Sequence, residues 1–180
     1  MRGRFIAIVG PSGVGKDSVM EALAARDPRL ALVRRVITRP GDAGGEDFEG
    51  VTADEFHARA AKGDFALTWP AHGLHYAIPA TVADDLATGR DMLANLSRAA
   101  LPAAKAQFDP FFTIQLTAAR DVLAERLAAR GRESKDDIAR RLDRAEYALP
   151  EGIAAVTIDN SGDLDATVQG ILSLLYPVRA

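Results

Sequence analysis

Short apolar runs alternate with segments in which apolar residues recur every three or four positions along nearly all of the 180 residues. The runs predict strands at Phe5 to Val9, Leu30 to Ile37, Met92 to Leu96, Phe111 to Leu116 and Ala155 to Ile158. The periodic segments predict helices near 16–26, 53–61, 80–88, 99–106, 119–129, 136–147 and 164–175. Leu123, Leu127 and the Leu142/Ala145 pair mark buried helix faces. Thr52 or Asp54 is placed to cap the helix at 53–61, and Asp163 with Asp165 to start the last one. Strands and helices in this alternation predict an α/β fold, a five-stranded parallel sheet with helices on both faces. Two stretches break the alternation: Pro40 to Asp47, rich in turn residues, and Arg130 to Asp137, dense in charge. In a phosphotransferase such segments serve as covers that keep water from the transferring group, and otherwise they are solvated loops.

The first strand runs directly into Gly10-Pro11-Ser12-Gly13-Val14-Gly15-Lys16-Asp17-Ser18, which opens a helix. Strand, glycine-rich loop and helix N-terminus in this order form a phosphate-binding P-loop. Glycines at 10, 13 and 15 let successive N–H groups turn toward one anion, and the helix adds its own free N–H groups and positive dipole end. Lys16 is placed to reach the β and γ phosphates of a nucleoside triphosphate. One letter departs from the full pattern: Asp17 stands directly after the lysine where a hydroxyl is expected, and Ser18 follows it. Asp17 either meets Mg²⁺, directly or through water, or caps the helix; both readings stay open.

Composition narrows the partners. The length suits a single domain with its own core, and the lack of cysteine excludes disulfides and thiolate metal sites and suits a reducing cytoplasm. No run reaches the length of a signal or membrane segment, so no membrane partner is expected. A net charge of −3 offers no general attraction to nucleic acid, so the arginines are expected to serve a local anion, a small phosphorylated substrate. A homodimer is left open. His57, His72 and His75 match no helical metal spacing and are expected in packing or surface roles, with His72 the exception as a substrate-loop residue. Arg126 and Arg130 share a helical face and Arg141 follows across the charged break. Either these arginines converge on a phosphoryl group in transfer, or they form an exposed pair of helices bridged to Glu125, Glu133 and Asp137.

The P-loop, Thr38-Arg39, Gly45-Glu46-Asp47-Phe48, His72-Gly73-Leu74-His75-Tyr76-Ala77, the pair Arg126 to Gly131 and Ile138 to Leu142, and Ile158-Asp159-Asn160-Ser161 together resemble the guanylate kinase family. The resemblance covers nearly the whole chain. It implies a P-loop kinase fold in one domain, with a core at 1–37, 80–129 and 148–180, an acceptor-binding segment at 38–79 and a lid at 130–147. It also implies ATP and Mg²⁺ as cofactors and places Asn160 near the adenine. The departures concern the acceptor: the family's guanine-binding carboxylate and hydroxyl positions are Leu67 and Ile78, the second phosphate-clamp arginine is Asp42, and a tyrosine is Phe48. Apolar residues there leave guanine N–H groups unpaired at about 1–3 kcal/mol each, which rejects GMP.

A branch sharing these departures, and Gly15-Lys16-Asp17-Ser18, Ala43-Gly44-Gly45-Glu46-Asp47, Trp69-Pro70-Ala71-His72-Gly73-Leu74 and Ala129-Arg130-Gly131-Arg132-Glu133, is the ribose 1,5-bisphosphate phosphokinases. They transfer the γ-phosphoryl of ATP to the sugar, giving 5-phosphoribosyl 1-diphosphate and ADP. On this resemblance Lys16, Arg130 and Arg141 are expected to serve catalysis, with Arg126 in support. Residues 10–18 and Asn160 are expected to hold the nucleotide, with Asp17 toward Mg²⁺. Arg39, Glu46, Asp47, His72, Tyr76, Asn95 and Arg98 are expected to hold the acceptor, and Asn95 and Ser97 replace acidic residues of the family. Trp69 with Phe65 is expected in the core first and as a platform for the ribose second. The alternatives are a nucleoside monophosphate kinase with altered base preference and a non-catalytic binding module.

Overall fold

The computed structural model describes residues 1–43, 45–131, 134–144 and 148–178, and of Arg144 only the backbone. Along the chain lie β1 (Phe5–Val9), α1 (Lys16–Arg26), β2 (Leu30–Leu32), β3 (Val36–Ile37), β4 (Glu49–Gly50), α2 (Ala53–Ala61), β5 (Phe65–Ala71), β6 (Leu74–Pro79) and α3 (Val82–Ala87). They are followed by β7 (Asp91–Asn95), α4 (Leu101–Gln107) after a 3-10 turn at Arg98–Ala100, β8 (Phe111–Thr117), α5 (Arg120–Ala129), α6 (Lys135–Arg144), β9 (Val156–Asp159) and α7 (Leu164–Leu175). No helix among the described residues is long and apolar enough to cross a membrane.

The main sheet is five-stranded and all parallel, in the order β2-β7-β1-β8-β9. Central β1 is buried at every position, which is why it reads as an unbroken apolar run. Its residues divide by parity. Phe5, Ala7 and Val9 pack with Val82 and Leu86 of α3 and Leu101 and Ala104 of α4. Ile6 and Ile8 face the opposite core, built with Val19 and Leu23 of α1, Leu123 and Leu127 of α5 and Val168 and Ile171 of α7. Helices thus cover both faces, as the alternation predicts.

The sequence reading needs correction at Leu30 to Ile37. This run is two strands in two sheets: β2 pairs with β7, while β3 belongs to a second sheet ordered β4-β3-β6-β5. Arg34 and Arg35 sit at the crossing, and Val33 makes the last backbone bond to the main sheet, at Leu93 O. Three strands of the second sheet, β4, β5 and β6, are absent from the sequence reading. β5 and β6 form a hairpin whose two-residue turn, His72 (φ 52°) and Gly73 (φ 73°), has the positive φ at both central positions that a type I′ turn requires. Its register sets Trp69 opposite Tyr76 and Leu67 opposite Ile78, and all four join the core on the α3 side.

The caps resolve individually. Thr52 caps α2 and forms a reciprocal capping box with Glu55, whereas Asp163 occupies the N-cap of α7 without a side-chain bond. At the opposite end of the sheet from the P-loop, Asp91 accepts from the Arg4 backbone N–H (2.6 Å), Arg4 Nη2 (2.6 Å) and Tyr176 Oη (2.7 Å), tying β7 to the first and last segments of the chain. Burial pushes the Asp91 carboxyl up, but the hydrogen bonds from Arg4 and Tyr176 outweigh it and leave it below the usual carboxylate value. Gly44, Arg132, Glu133 and Ala145, singled out in the sequence motifs, lie outside the described residues, as do 146 and 147 of the expected lid.

Candidate active site

The carboxyl end of β1 delivers the chain into the P-loop, and the loop hands it to α1 through Gly15 in a left-handed conformation (φ 94°). A Cβ on Gly15 would also lie 2.9 Å from Asn160 Nδ2, so both the backbone angle and the space call for glycine. The loop is held from behind. Asn160 Nδ2 donates to Val14 O (2.8 Å), Arg126 Nη1 donates to the same carbonyl (3.2 Å), and Arg126 Nη2 donates to Asn160 O (2.7 Å). Thr167 Oγ1 donates to Asn160 Oδ1 (2.7 Å), so both ends of the amide are held. Asn160, expected near the adenine, is 4% exposed, and its amide is bonded to the loop and α7. Arg126 is likewise a brace for the loop rather than a companion of Arg130 and Arg141. Val14 contributes its carbonyl to this brace while its side chain lies in the core.

Lys16 turns back on its own loop, donating to Gly10 O (2.8 Å) and Pro11 O (3.3 Å). Burial, reinforced by the nearby positive charges of Arg35, Arg130 and Arg98 against a partial offset from Asp17, pushes its ammonium down to about 8. Asp17 accepts from Asn95 Nδ2 (3.2 Å) across the carboxyl ends of β1 and β7, and it lies in the first turn of α1, whose N-cap is Gly15. Ser12, Gly13, Gly15, Asp17, Ser18 and Arg130 border a space of about 150 Å³ with Lys16 and Asn95. Among the described residues no three His, Asp or Glu side chains gather as a metal cage. Asp17 is a hard-oxygen donor beside the phosphate cradle, and this suits Mg²⁺, which takes one or two carboxylates and fills its octahedron with phosphate oxygens and water.

A larger cavity of about 800 Å³ adjoins this space, and Ser12, Lys16 and Asn95 border both. Lys16, Arg35, Arg39, Arg98 and Arg141 line it together with Trp69, His72 and Tyr76, and its described lining contains no carboxylate. Five cationic side chains facing a site without an acidic one favour a multiply charged anion. Arg39 lies over the Phe48 ring at 4.2 Å, so the ring that replaces a tyrosine supports the arginine by its face. Trp69 and Tyr76 stack at 5.5 Å with ring planes 13° apart, and Arg35 lies 5.0 Å over the Tyr76 ring. Leu67 and Ile78 sit next to this stack in the core rather than on the cavity wall. Of the histidines, His57 and His75 pack edge to face at 5.1 Å beside Phe56, and His72 alone reaches the cavity.

The expected acceptor roles of Glu46 and Asp47 need correction. Glu46 is the counter-ion of buried Arg35, bonded to its Nε (3.0 Å) and Nη2, and exposed Asp47 pairs with Arg34 (3.1 Å); neither borders the cavity. Of the two readings of the arginine-rich helices, convergence describes Arg130 and Arg141, which border the two spaces. Surface bridging describes others, Arg120 with Asp143 and Arg140 with Asp137. The residue missed entirely is Arg35. Its signal was present, since two adjacent arginines interrupt an apolar run read as one buried strand.

The profile of the guanylate kinase family matches residues 2–176. A ribose 1,5-bisphosphate phosphokinase of Ruegeria sp. is 49% identical, covering 99% of this chain and 95% of that protein. A protein of the same name from Agrobacterium fabrum is 45% identical, covering 95% of each. Guanylate kinase from Anaplasma phagocytophilum superposes with a TM-score of 0.67 over 97% of this chain and 85% of that one, and at 17% identity this likeness concerns the fold alone. The chain belongs to the guanylate kinase family of P-loop kinases, in the branch of the ribose 1,5-bisphosphate phosphokinases.

Proposed function

We propose that the chain transfers the γ-phosphoryl group of ATP to the 1-phosphate of ribose 1,5-bisphosphate, releasing ADP and 5-phosphoribosyl 1-diphosphate. The observation that carries this reading is the 800 Å³ cavity with five cations and no carboxylate in its described lining. An acceptor with two phosphates and no base needs those charges and has no use for a group that reads guanine. Leu67 and Ile78 lie in the core and put no polar group on the cavity wall. The relatives named above carry this activity in their names.

In this reading a 1-phosphate oxygen of the acceptor attacks the γ-phosphorus, the bond to the β–γ bridging oxygen breaks, and its electron pair leaves with ADP. The attacking group is already an anion, so no general base is required and catalysis rests on alignment and charge neutralisation. The loop N–H groups of residues 12–18 cradle the triphosphate. Lys16 exchanges its loop carbonyls for phosphate oxygens, and Arg130 and Arg141 neutralise the transferring group from the α5–α6 side. Mg²⁺, when bound beside Asp17, supplies charge neutralisation for the phosphates. Arg39, Arg98 and His72 hold acceptor oxygens, and the stacked Trp69 and Tyr76 form the wall for the sugar. The segments 38–79 and 130–147 act as acceptor cover and lid over the core.

The test is coupled ADP release with ribose 1,5-bisphosphate, ribose 5-phosphate, GMP and AMP offered separately. Turnover with the bisphosphate is expected. Turnover confined to GMP would overturn the proposal.

A further inference from the structure

Arg35 is a charged side chain that the fold goes to some length to hold. It is 6% exposed, it stands where the chain crosses from one sheet to the other, and it borders the larger cavity. Glu46, which does not border the cavity, accepts from Nε and Nη2, the Asn95 carbonyl accepts from Nη1 (2.9 Å), and the guanidinium carbon lies 5.0 Å over the Tyr76 ring. Among the described residues these bonds use three of the five guanidinium N–H groups, which leaves one on each terminal nitrogen. A donor on each terminal nitrogen is what arginine uses to bind a phosphate through two oxygens. The group is also close enough to Lys16 to depress its ammonium, and its Asn95 partner contacts Asp17. Arg35 therefore stands at the donor end of the acceptor cavity.

We propose that Arg35 selects the acceptor by its reacting phosphate: its two remaining N–H groups hold the 1-phosphate of the sugar and aim it at the γ-phosphate above Lys16. This rests on the sugar bisphosphate reading and adds to it the residue that distinguishes a phosphate from a hydroxyl at the reacting carbon. Glu46 is the positioning residue. It fixes the guanidinium plane and offsets part of its charge. The distinction matters because a hydroxyl offers one neutral oxygen to the two donors, where a phosphate offers a charged oxygen to each.

The experiment measures binding of ribose 1,5-bisphosphate, ribose 1-phosphate and ribose 5-phosphate by calorimetry to the wild type, to Arg35→Lys and to the double variant Arg35→Gln/Glu46→Gln. The double variant leaves no unpaired buried charge, and its thermal unfolding is recorded alongside. Two lost charge-assisted bonds are expected to weaken the two ligands that carry a 1-phosphate about 10- to 100-fold. Ribose 5-phosphate and ATP are expected to stay within about threefold, as ligands that do not meet those donors. Equal weakening of all three sugars, or of none, overturns the assignment of Arg35. A wild type that releases no ADP with ribose 1,5-bisphosphate brings down the function reading instead, and the assignment with it, so the two failures are told apart by the wild type alone.

Discussion

The position of Lys16 makes nucleotide binding a proton-linked event. In the free protein burial and three arginines hold its ammonium down to about 8, and its hydrogen bonds go to its own loop. A bound triphosphate brings several negative charges to the same point and returns the group to its ordinary value or above. The sign follows directly: the bound state holds more protons than the free state near pH 8, so ATP binding takes up protons and its affinity falls as pH rises through that value. With a free value near 8 and a bound value at or above 10.5, uptake is about 0.1 proton at pH 7, 0.5 at pH 8 and 0.9 at pH 9. The same arithmetic lowers the affinity about tenfold between pH 7 and pH 9. The assay is titration calorimetry of a non-hydrolysable ATP analogue in two buffers of different ionisation enthalpy at pH 8 and pH 9, where the nucleotide's own phosphate has finished titrating. Lys16→Met, which keeps most of the stem volume without the charge, is expected to bind weakly and take up no proton. Proton uptake that does not change between pH 8 and pH 9, or that persists in Lys16→Met, would refute the account of the cation cluster.

Three further outcomes follow from named contacts. Arg126→Ala removes both bonds that brace the P-loop from α5, so the KM for ATP is expected to rise about 10-fold or more and stability in urea to fall by about 1–3 kcal/mol; an unchanged KM would return Arg126 to a surface role. Gly15→Ala forces a Cβ to within 2.9 Å of Asn160 Nδ2 at a positive φ, and its cost of at least 1–2 kcal/mol is expected to appear chiefly as lost ATP binding, measured by fluorescence titration of a nucleotide analogue. Asp91 is held below its ordinary value, so its stabilisation is present above the unfolded carboxylate value of 3.8 and is lost as pH falls below it. Asp91→Asn is expected to lower stability at pH 7 by about 1–3 kcal/mol and to flatten the acid limb of the urea-midpoint curve; an acid limb identical to the wild type's would remove Asp91 from it.

The donor half of the site was legible in the sequence because its chemistry is local. A P-loop is a run of consecutive residues whose function lies in backbone N–H groups, and the strand before it and helix after it announce themselves by period. The main sheet was legible for a similar reason, since parallel strands buried on both faces show unbroken apolar runs. The second sheet was not. Its strands β3 and β4 have two residues each, too short for any period, and β5 mixes Thr68 and Pro70 with Trp69 on alternate sides. Asn160 was placed near the adenine by the family resemblance, and the bonds to Val14 and Thr167 that hold its amide have no signature in the sequence.

Charge in the acceptor half is decided by pairs that sequence spacing does not reveal. Glu46 and Asp47 are adjacent acids beside a candidate sugar site, and on the sequence both read as ligands for hydroxyls. In the fold they turn away to Arg35 and Arg34, eleven and thirteen residues back, and that withdrawal is what leaves the described cavity wall free of carboxylates. Had either reached into the cavity, it would repel the anion that the five cations attract. The same pairing turns Arg35 from an interruption of an apolar run into a fixed donor beside Asn95, where the neutral amide stands in place of the family's acid. Neutral side chains at Asn95 and Ser97, acids withdrawn at 46 and 47, and arginines at 35, 39 and 98 all shift the cavity in one direction, toward an acceptor more negative than a nucleoside monophosphate. Restoring an acid at one of these places tests the balance as a whole. Ser97→Asp is expected to weaken ribose 1,5-bisphosphate more than ribose 5-phosphate, by about three- to tenfold at low salt, with the difference shrinking as ionic strength rises. Equal effects on the two ligands at all salt concentrations would mean that shape, and not the charge of the wall, chooses the acceptor.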